Sequence, residues 1–424
     1  MPVTAVVGGQ WGDEGKGRVV DLLGQESDFI IRFNGGANAG HTVVNDLGTF
    51  KMHLMPCGIF NPRATVVIAN GVMLDLEVLQ TELKDVTAAG VDVENRFLIS
   101  PRCHVVMPYH KLLDGLFEEA KGPKSIGTTL RGIGPSFADK VSYNGIRLAD
   151  MANETVFRDK LETQVLLKNK LIEALGGAAL DVEEILATYR ELYSTVEPFV
   201  CEPFDIIHGA LAAGRKILLE GAQGAMLDTD WSAYPFCTAA SPLAGAAAIG
   251  AGIPPNKIDH IICVVKAYST RVGNGPMPTE LHGEEGDALR EAGQEYGATT
   301  GRPRRCGWFD AEVVRFTAAL NGATELALTR LDVLDDLETI QVSPGYQLDG
   351  EAVRYVECDA RLLERCEPVL EEHAGWQSPT GDVRAFDDLP AAAQSYVERL
   401  EELVGVPFRV ISVGPEREQR FTRA

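Results

Sequence analysis

Short runs of apolar, largely β-branched residues recur along the chain. They lie at Thr4–Val7, Phe29–Phe33, Thr65–Ala69, Ile217–Leu219, Ile261–Val265, Leu326–Thr329 and Phe408–Ile411. Each reads as a buried strand. Helical patterns lie between many of them. The longest covers Ala149–Ala213, with apolar positions at Val156, Leu161, Val165, Leu166 and Leu171. Strands alternating with helices predict an α/β fold with a mainly parallel sheet wrapped by helices.

The residues after each strand carry the chemistry. Thr4–Val7 runs into GGQWGDEGKG, Phe29–Phe33 into NGGANAGHT, and Ile217–Leu219 into EGAQG. Ile261–Val265 runs into KAYSTR, Leu326–Thr329 into RLD, and Phe408–Ile411 into SVGP. Ligands of open parallel sheets sit beyond the carboxyl ends of the strands. Glycine and polar residues at so many strand ends predict one large site assembled from distant segments.

Charge narrows the partners. Lysine and arginine total 39 and aspartate and glutamate 61, a formal charge of −22 over 424 residues. Nucleic acid is not expected as a partner, because neutralising a phosphate backbone needs a basic face. Small anions need only local positive charge. No apolar run has the length of a membrane span, and the N-terminus does not read as a signal peptide. The eight cysteines form no C-x-x-C pair and no metal spacing, so they are expected to be reduced thiols of a cytosolic protein.

Gly12-Asp13-Glu14-Gly15-Lys16-Gly17 stands between a strand and a helical pattern containing Val19, Val20, Leu22 and Leu23. Glycines let backbone N–H groups approach phosphate oxygens, and a helix N-terminus adds favourable partial charge. Lys16 would reach the phosphates. The spacing is not that of a standard P-loop. Gly9 to Gly15 is one residue too long, and Gly17 replaces the hydroxyl residue that would hold Mg²⁺. Asp13 offers an oxygen ligand in its place. A tight turn with a solvated lysine is the bland reading, and the glycine density weighs against it.

GGQWGDEGKGR followed by RFNGGANAGHTVV resembles the adenylosuccinate synthetase family. So do GTTLRGIGPSFADK, EGAQGAMLDTD, KAYSTRVGNGPMPTEL, GATTGRPRRCGWFD, TRLDVLD and ISVGPER, in family order from Gly8 to Arg417. The resemblance covers essentially the whole chain. It implies one large α/β domain over residues 1–424, a cytoplasmic homodimer, and a ligase acting on IMP, L-aspartate and GTP with Mg²⁺. GTP would phosphorylate the purine 6-oxygen, and the aspartate amine would then displace phosphate.

The resemblance also implies roles. Asp13 would be the base at ring N1 and His41 the acid at the oxygen, with Lys16 and Gln223 completing the catalytic set. Positioned proton transfers of this kind contribute about 10²–10⁴-fold each. Asp13 and the carbonyl of Gly40 match the family's metal ligands. IMP contacts would come from Asp13, Asn38, Ala39, Gly40, His41, Thr129, Gln223, Thr238 and Arg302. Ala298, Thr299, Thr300, Gly301, Arg302 and Arg304 match the aspartate loop. Guanidinium groups suit its carboxylates because they form bidentate pairs.

GTP would be held by Gly12, Asp13, Glu14, Gly15, Lys16, Gly17, Gly40, His41, Thr42 and Arg304, and by Arg330, Leu331, Asp332, Ser412, Val413 and Gly414 around the base. Thr329-Arg330-Leu331-Asp332 resembles a T-K-x-D guanine reader. Its carboxylate accepts N1–H and N2–H of guanine, a donor pair adenine lacks. Arg330 stands where lysine is usual.

Three departures fall around the sugar-phosphate. Tyr143 takes the place of an arginine that the family's partner subunit supplies, Leu130 replaces glycine or lysine, and Ala239-Ala240-Ser241-Pro242 replaces a more polar stretch. Arg131, Lys140 or Arg147 would have to take over the phosphate, or the substrate would be a modified or unphosphorylated purine. A GTP-binding regulatory module is the alternative from another class. It has no use for GATTGRPRR or an acid at His41, and its GTP turnover would not require aspartate.

Overall fold

The computed structural model describes residues 3–297 and 301–423. Among the described residues, nine strands form one sheet, in the order Arg420–Thr422, Phe408–Ser412, Glu325–Thr329, His260–Lys266, Val3–Gly8, Ile217–Glu220, Phe29–Arg32, Thr65–Ile68 and Phe97–Ile99. Neighbours pair in parallel except Phe408–Ser412 with Arg420–Thr422, which is antiparallel. Every run predicted as a strand lies in this sheet. The two strands that were not predicted have three residues each, too few to show a pattern.

Val3–Gly8 is buried along its whole length because helices cover both faces. Ala5 and Val7 pack towards Ala244 and Ala247, whereas Val6 packs with Val19 and Val20 of the helix Lys16–Gly24. The strand ends at Gly8, so the glycine loop emerges at the carboxyl edge of the sheet.

The region from Ala149 to Ala213 is not one helical stretch. It divides into Leu148–Met151, Glu154–Ala174, Val182–Val196 and Phe204–Ala212. Asn153 and Asp181 cap two of these by accepting the N–H groups of Val156 and Glu184. Gly176, with φ +84°, and Pro203 mark the breaks. In Glu154–Ala174 the inward face is Phe157, Leu161, Gln164, Val165 and Ile172, whereas Val156, Leu166 and Leu171 point outward. These helices join Leu76–Ala88 and Pro108–Lys121 in a second core against Val66, Ile68, Phe97 and Ile99. No described helix is long and apolar enough to cross a membrane.

Candidate functional site

A cavity of about 640 Å³ opens at the carboxyl edge of the sheet. Gly12, Asp13, Gly15, Lys16 and Gly17 line it from the first strand, Asn38 to Thr42 from the second, and Gln223 from the turn after Glu220. Thr129, Thr238, Lys266, Arg304 and Arg330 close the remaining walls. One site built from distant strand ends, as the sequence predicts, is what the sheet order produces.

The glycine loop is held from inside. Gly12, Asp13 and Gly15 have φ of +90°, +58° and +92°. A side chain at Gly15 would be strained, and Gly15 leads directly into the helix at Lys16. Glu14 is fully buried beneath the loop. Its carboxylate accepts the N–H of Gln10 at 3.1 Å and of Gly12 at 2.8 Å, and pairs with Lys16 Nζ at 2.5 Å. Glu14 therefore does not line the cavity, and Lys16, which does, is anchored by its carboxylate. A Cβ on Gly224 would lie 2.2 Å from Gln10 O, so the turn carrying Gln223 packs directly on this loop.

Gln223, Asn38 and Thr238 meet at the cavity wall. Gln223 Nε2 donates to Asn38 Oδ1 at 2.9 Å, and Asn38 Nδ2 to Thr238 Oγ1 at 3.4 Å. Gln223 Oε1 is buried with no hydrogen-bond partner among the described residues. Opposite stands His41, whose Nδ1 is 2.7 Å from Glu220 Oε1. Glu220 is fully buried, paired with Arg32 at 3.4 Å, and accepts the N–H of Cys57 at 2.8 Å. Burial pushes the His41 pKa down, and the Glu220 bond opposes it. The sequence contains Glu220 in EGAQG, but no local signal marks it as the partner of a histidine far away in the chain.

The arginine segment divides by function. Arg304 Nε donates to Asp13 Oδ2 at 2.7 Å across 291 residues, and Nη1 to Glu295 Oε2 at 2.6 Å. Arg302 Nη2 donates to the carbonyls of Gly127 and Thr128 at 3.1 and 3.3 Å and does not line the cavity. Arg305 bonds Glu280 and the carbonyls of Gly273 and Gly275, a framework role. Gly301 has φ +64°. Ala298, Thr299 and Thr300 lie outside the described residues.

Around Asp332 the wall continues beyond the cavity proper. Arg18 and Arg330 line the cavity and are the charges nearest Asp332 that oppose the rise in its pKa caused by burial. Asp332 Oδ1 is buried without a hydrogen-bond partner among the described residues. Arg18 Nη1 donates to Gly414 O at 3.4 Å, and Ser412 Oγ to the same carbonyl at 3.1 Å. Leu331 and Val413 are fully buried and do not line the cavity.

Of the departures, Leu130 has φ +57° and is half exposed, a left-handed conformation that explains why glycine suits the position. Tyr143 has φ +67° and is 96% exposed, standing clear of the cavity of its own chain.

Loops gathered at one end of a parallel sheet, with an anchored lysine at a helix start, make this an α/β protein built to hold phosphorylated ligands. Residues 5–421 match the family model described as adenylosuccinate synthetase, and the chain belongs to that family of ligases. It is 50% identical over 421 residues to the adenylosuccinate synthetase of Caldanaerobacter subterraneus subsp. tengcongensis, covering 99% of this chain and 98% of the relative. The enzyme of the same name from Dehalococcoides mccartyi is 48% identical over 420 residues, with 99% of each chain covered. The solved structure of fully ligated adenylosuccinate synthetase from Plasmodium falciparum superposes with a TM-score of 0.94 at 34% identity, over 100% of both chains.

Proposed function

We propose that the chain joins L-aspartate to carbon 6 of IMP at the expense of GTP, giving adenylosuccinate, GDP and phosphate. The observation that carries this reading is that Asp13 and His41 line one cavity from different strand ends, each fixed by a buried partner system. Asp13 takes the proton from ring N1, which drives electron density onto the 6-oxygen. That oxygen attacks the γ-phosphorus of GTP and releases GDP. The aspartate amine then attacks carbon 6, its surplus proton passes to the departing phosphate, and the phosphate leaves with its oxygen.

His41 acts on the 6-oxygen through Nε2, since Nδ1 is held by Glu220. Burial disfavours the imidazolium. The negative charge gathering between the 6-oxygen and the γ-phosphate restores it when it is needed. Gln223, which lines the cavity, contacts the purine edge near the 6-oxygen, and Asn38, Thr129 and Thr238 hold the sugar-phosphate. Asp332 receives the guanine N–H groups, with Arg330 and Arg18 beside the base and its phosphates.

Asp13 and Gly40 both line the cavity, and the Asp13 carboxylate with the Gly40 carbonyl would give an all-oxygen set. That set suits Mg²⁺, which keeps waters and substrate phosphates as its other ligands. Bound there, Mg²⁺ would supply charge neutralisation for the substrate phosphates. The reading extends to a cytoplasmic homodimer. Exposed Val141 and Tyr143 on one segment support a second copy packing there.

The test is product mass. The chain incubated with IMP, GTP, Mg²⁺ and aspartate yields adenylosuccinate, GTP turnover requires aspartate, and Asp13→Asn abolishes both while leaving the circular dichroism spectrum unchanged. Aspartate-independent GTP hydrolysis, or full turnover by Asp13→Asn, overturns the reading.

A further inference from the structure

Glu295 has no part in the reading above, yet it is a buried carboxylate that gathers three donors at the cavity wall. It is 1% exposed. Its Oε1 accepts from Lys266 Nζ at 2.7 Å and from the Tyr268 hydroxyl at 2.5 Å. Its Oε2 accepts from Arg304 Nη1 at 2.6 Å, and Arg330 Nη2 stands 3.8 Å from Oε1. Burial alone would raise this carboxyl, but Lys266, Arg304 and Arg330 outweigh it and hold it down at about 2.

The backbone repeats the grip. Arg304 N donates to Glu295 O at 2.8 Å, Gly297 N to Arg302 O at 2.8 Å, and Tyr296 pairs with Pro303. Residues 295–297 and 302–304 therefore form a short antiparallel stem. Glu295 sits at the base of that stem and holds Arg304 by both main chain and side chain.

Arg304 is thereby used on two sides. Nε is committed to Asp13 and Nη1 to Glu295, which leaves the Nη2 edge for a ligand carboxylate. A guanidinium is planar, so fixing two of its nitrogens fixes the direction of the third. From this geometry we propose that Glu295 is a positioning residue for L-aspartate: it aims Arg304 and, through that side chain, ties the 302–304 strand of the stem to Asp13. The inference rests on the ligase reading. Removing its charge leaves three cations, Lys266, Arg304 and Arg330, facing one another with the Arg304 side chain ion-paired only to Asp13.

The experiment measures initial rates for wild type, Glu295→Gln, Glu295→Asp, Arg304→Leu and the double variant Glu295→Gln with Arg304→Leu. Glu295→Gln raises the aspartate KM about 10- to 100-fold, the range of a lost charged hydrogen bond, and the GTP KM less than about threefold. Glu295→Asp, which keeps the charge, recovers part of the loss. In the Arg304→Leu background the Glu295 substitution adds little, because its effect runs through that arginine. Glu295→Gln combined with Lys266→Met removes both charges of the buried pair, and carries the same expectation if the single variant does not fold. Wild-type turnover together with an unchanged aspartate KM in the folded variants, or equal rises for aspartate and GTP, overturns the positioning role alone. Absence of adenylosuccinate formation by the wild type overturns the ligase reading and this role with it.

Discussion

His41 Nδ1 and Glu220 Oε1 lie 2.7 Å apart, and this contact decides which imidazole nitrogen faces the cavity. The carboxylate holds one tautomer and favours the imidazolium against the cost of burial. Glu220→Gln keeps the size and loses the charge. We expect kcat to fall about tenfold or more, with the IMP and GTP KM values within about threefold. Near-UV circular dichroism checks that Arg32, which also pairs with Glu220, has not unpacked the strand ends. An unchanged kcat would mean that Glu220 serves packing alone.

Nucleotide choice follows from Asp332. Its buried Oδ1 lacks a hydrogen-bond partner among the described residues, and guanine brings the donors that adenine does not. GTP should exceed ATP in kcat/KM by about 10²-fold or more. Asp332→Asn should move the preference toward xanthosine triphosphate, which presents a carbonyl where guanine has its amino group. Equal rates with ATP and GTP in the wild type would remove Asp332 from base recognition.

Tyr143 tests the phosphate contact. Its phenol is almost wholly exposed in the single chain, where only a neighbouring copy can use it for a site. Tyr143→Arg would replace a neutral hydroxyl by a charge-assisted donor. The ratio of kcat/KM for IMP over inosine should rise by about tenfold. A ratio that does not move means the phosphate is held by groups within one chain.

Stability should carry a pH signature from Asp310. This buried carboxyl accepts the Tyr346 hydroxyl at 2.6 Å and the N–H of Val313 at 3.1 Å, and burial raises its pKa to about 7. Between its ordinary value of 3.8 and 7 the folded chain binds more protons than the unfolded chain, so stability falls as pH rises through that window. Asp310→Asn removes the titration. The melting temperature of the variant relative to wild type should therefore increase from pH 4 to pH 7, measured by thermal circular dichroism. A difference that is flat with pH would show Asp310 ionised throughout.

The strands, their order of glycine loops and most of the candidate site were legible from the chain alone. Buried parallel strands need uninterrupted apolar runs such as Ile261–Val265, and phosphate loops need glycines where φ is positive, so both leave local marks. The helical region around Glu154–Ala174 was legible only in part. Its apolar residues occupy more than one face, and packing against Pro108–Lys121 and Val182–Val196 chose the inward one.

Charge pairing left no such mark. Nothing near Glu14 says that it turns under its own loop, and nothing near Glu220 or Glu295 names His41 or Arg304. A carboxylate can satisfy donors from any direction, so its partners are set by which strand ends the sheet brings together. The amino-acid sequence determined the sheet, the glycine loops and the family of the chain. The tertiary structure alone decided that Arg304 spans from Asp13 to Glu295, because that bond joins segments 291 residues apart through a sheet order no local pattern encodes.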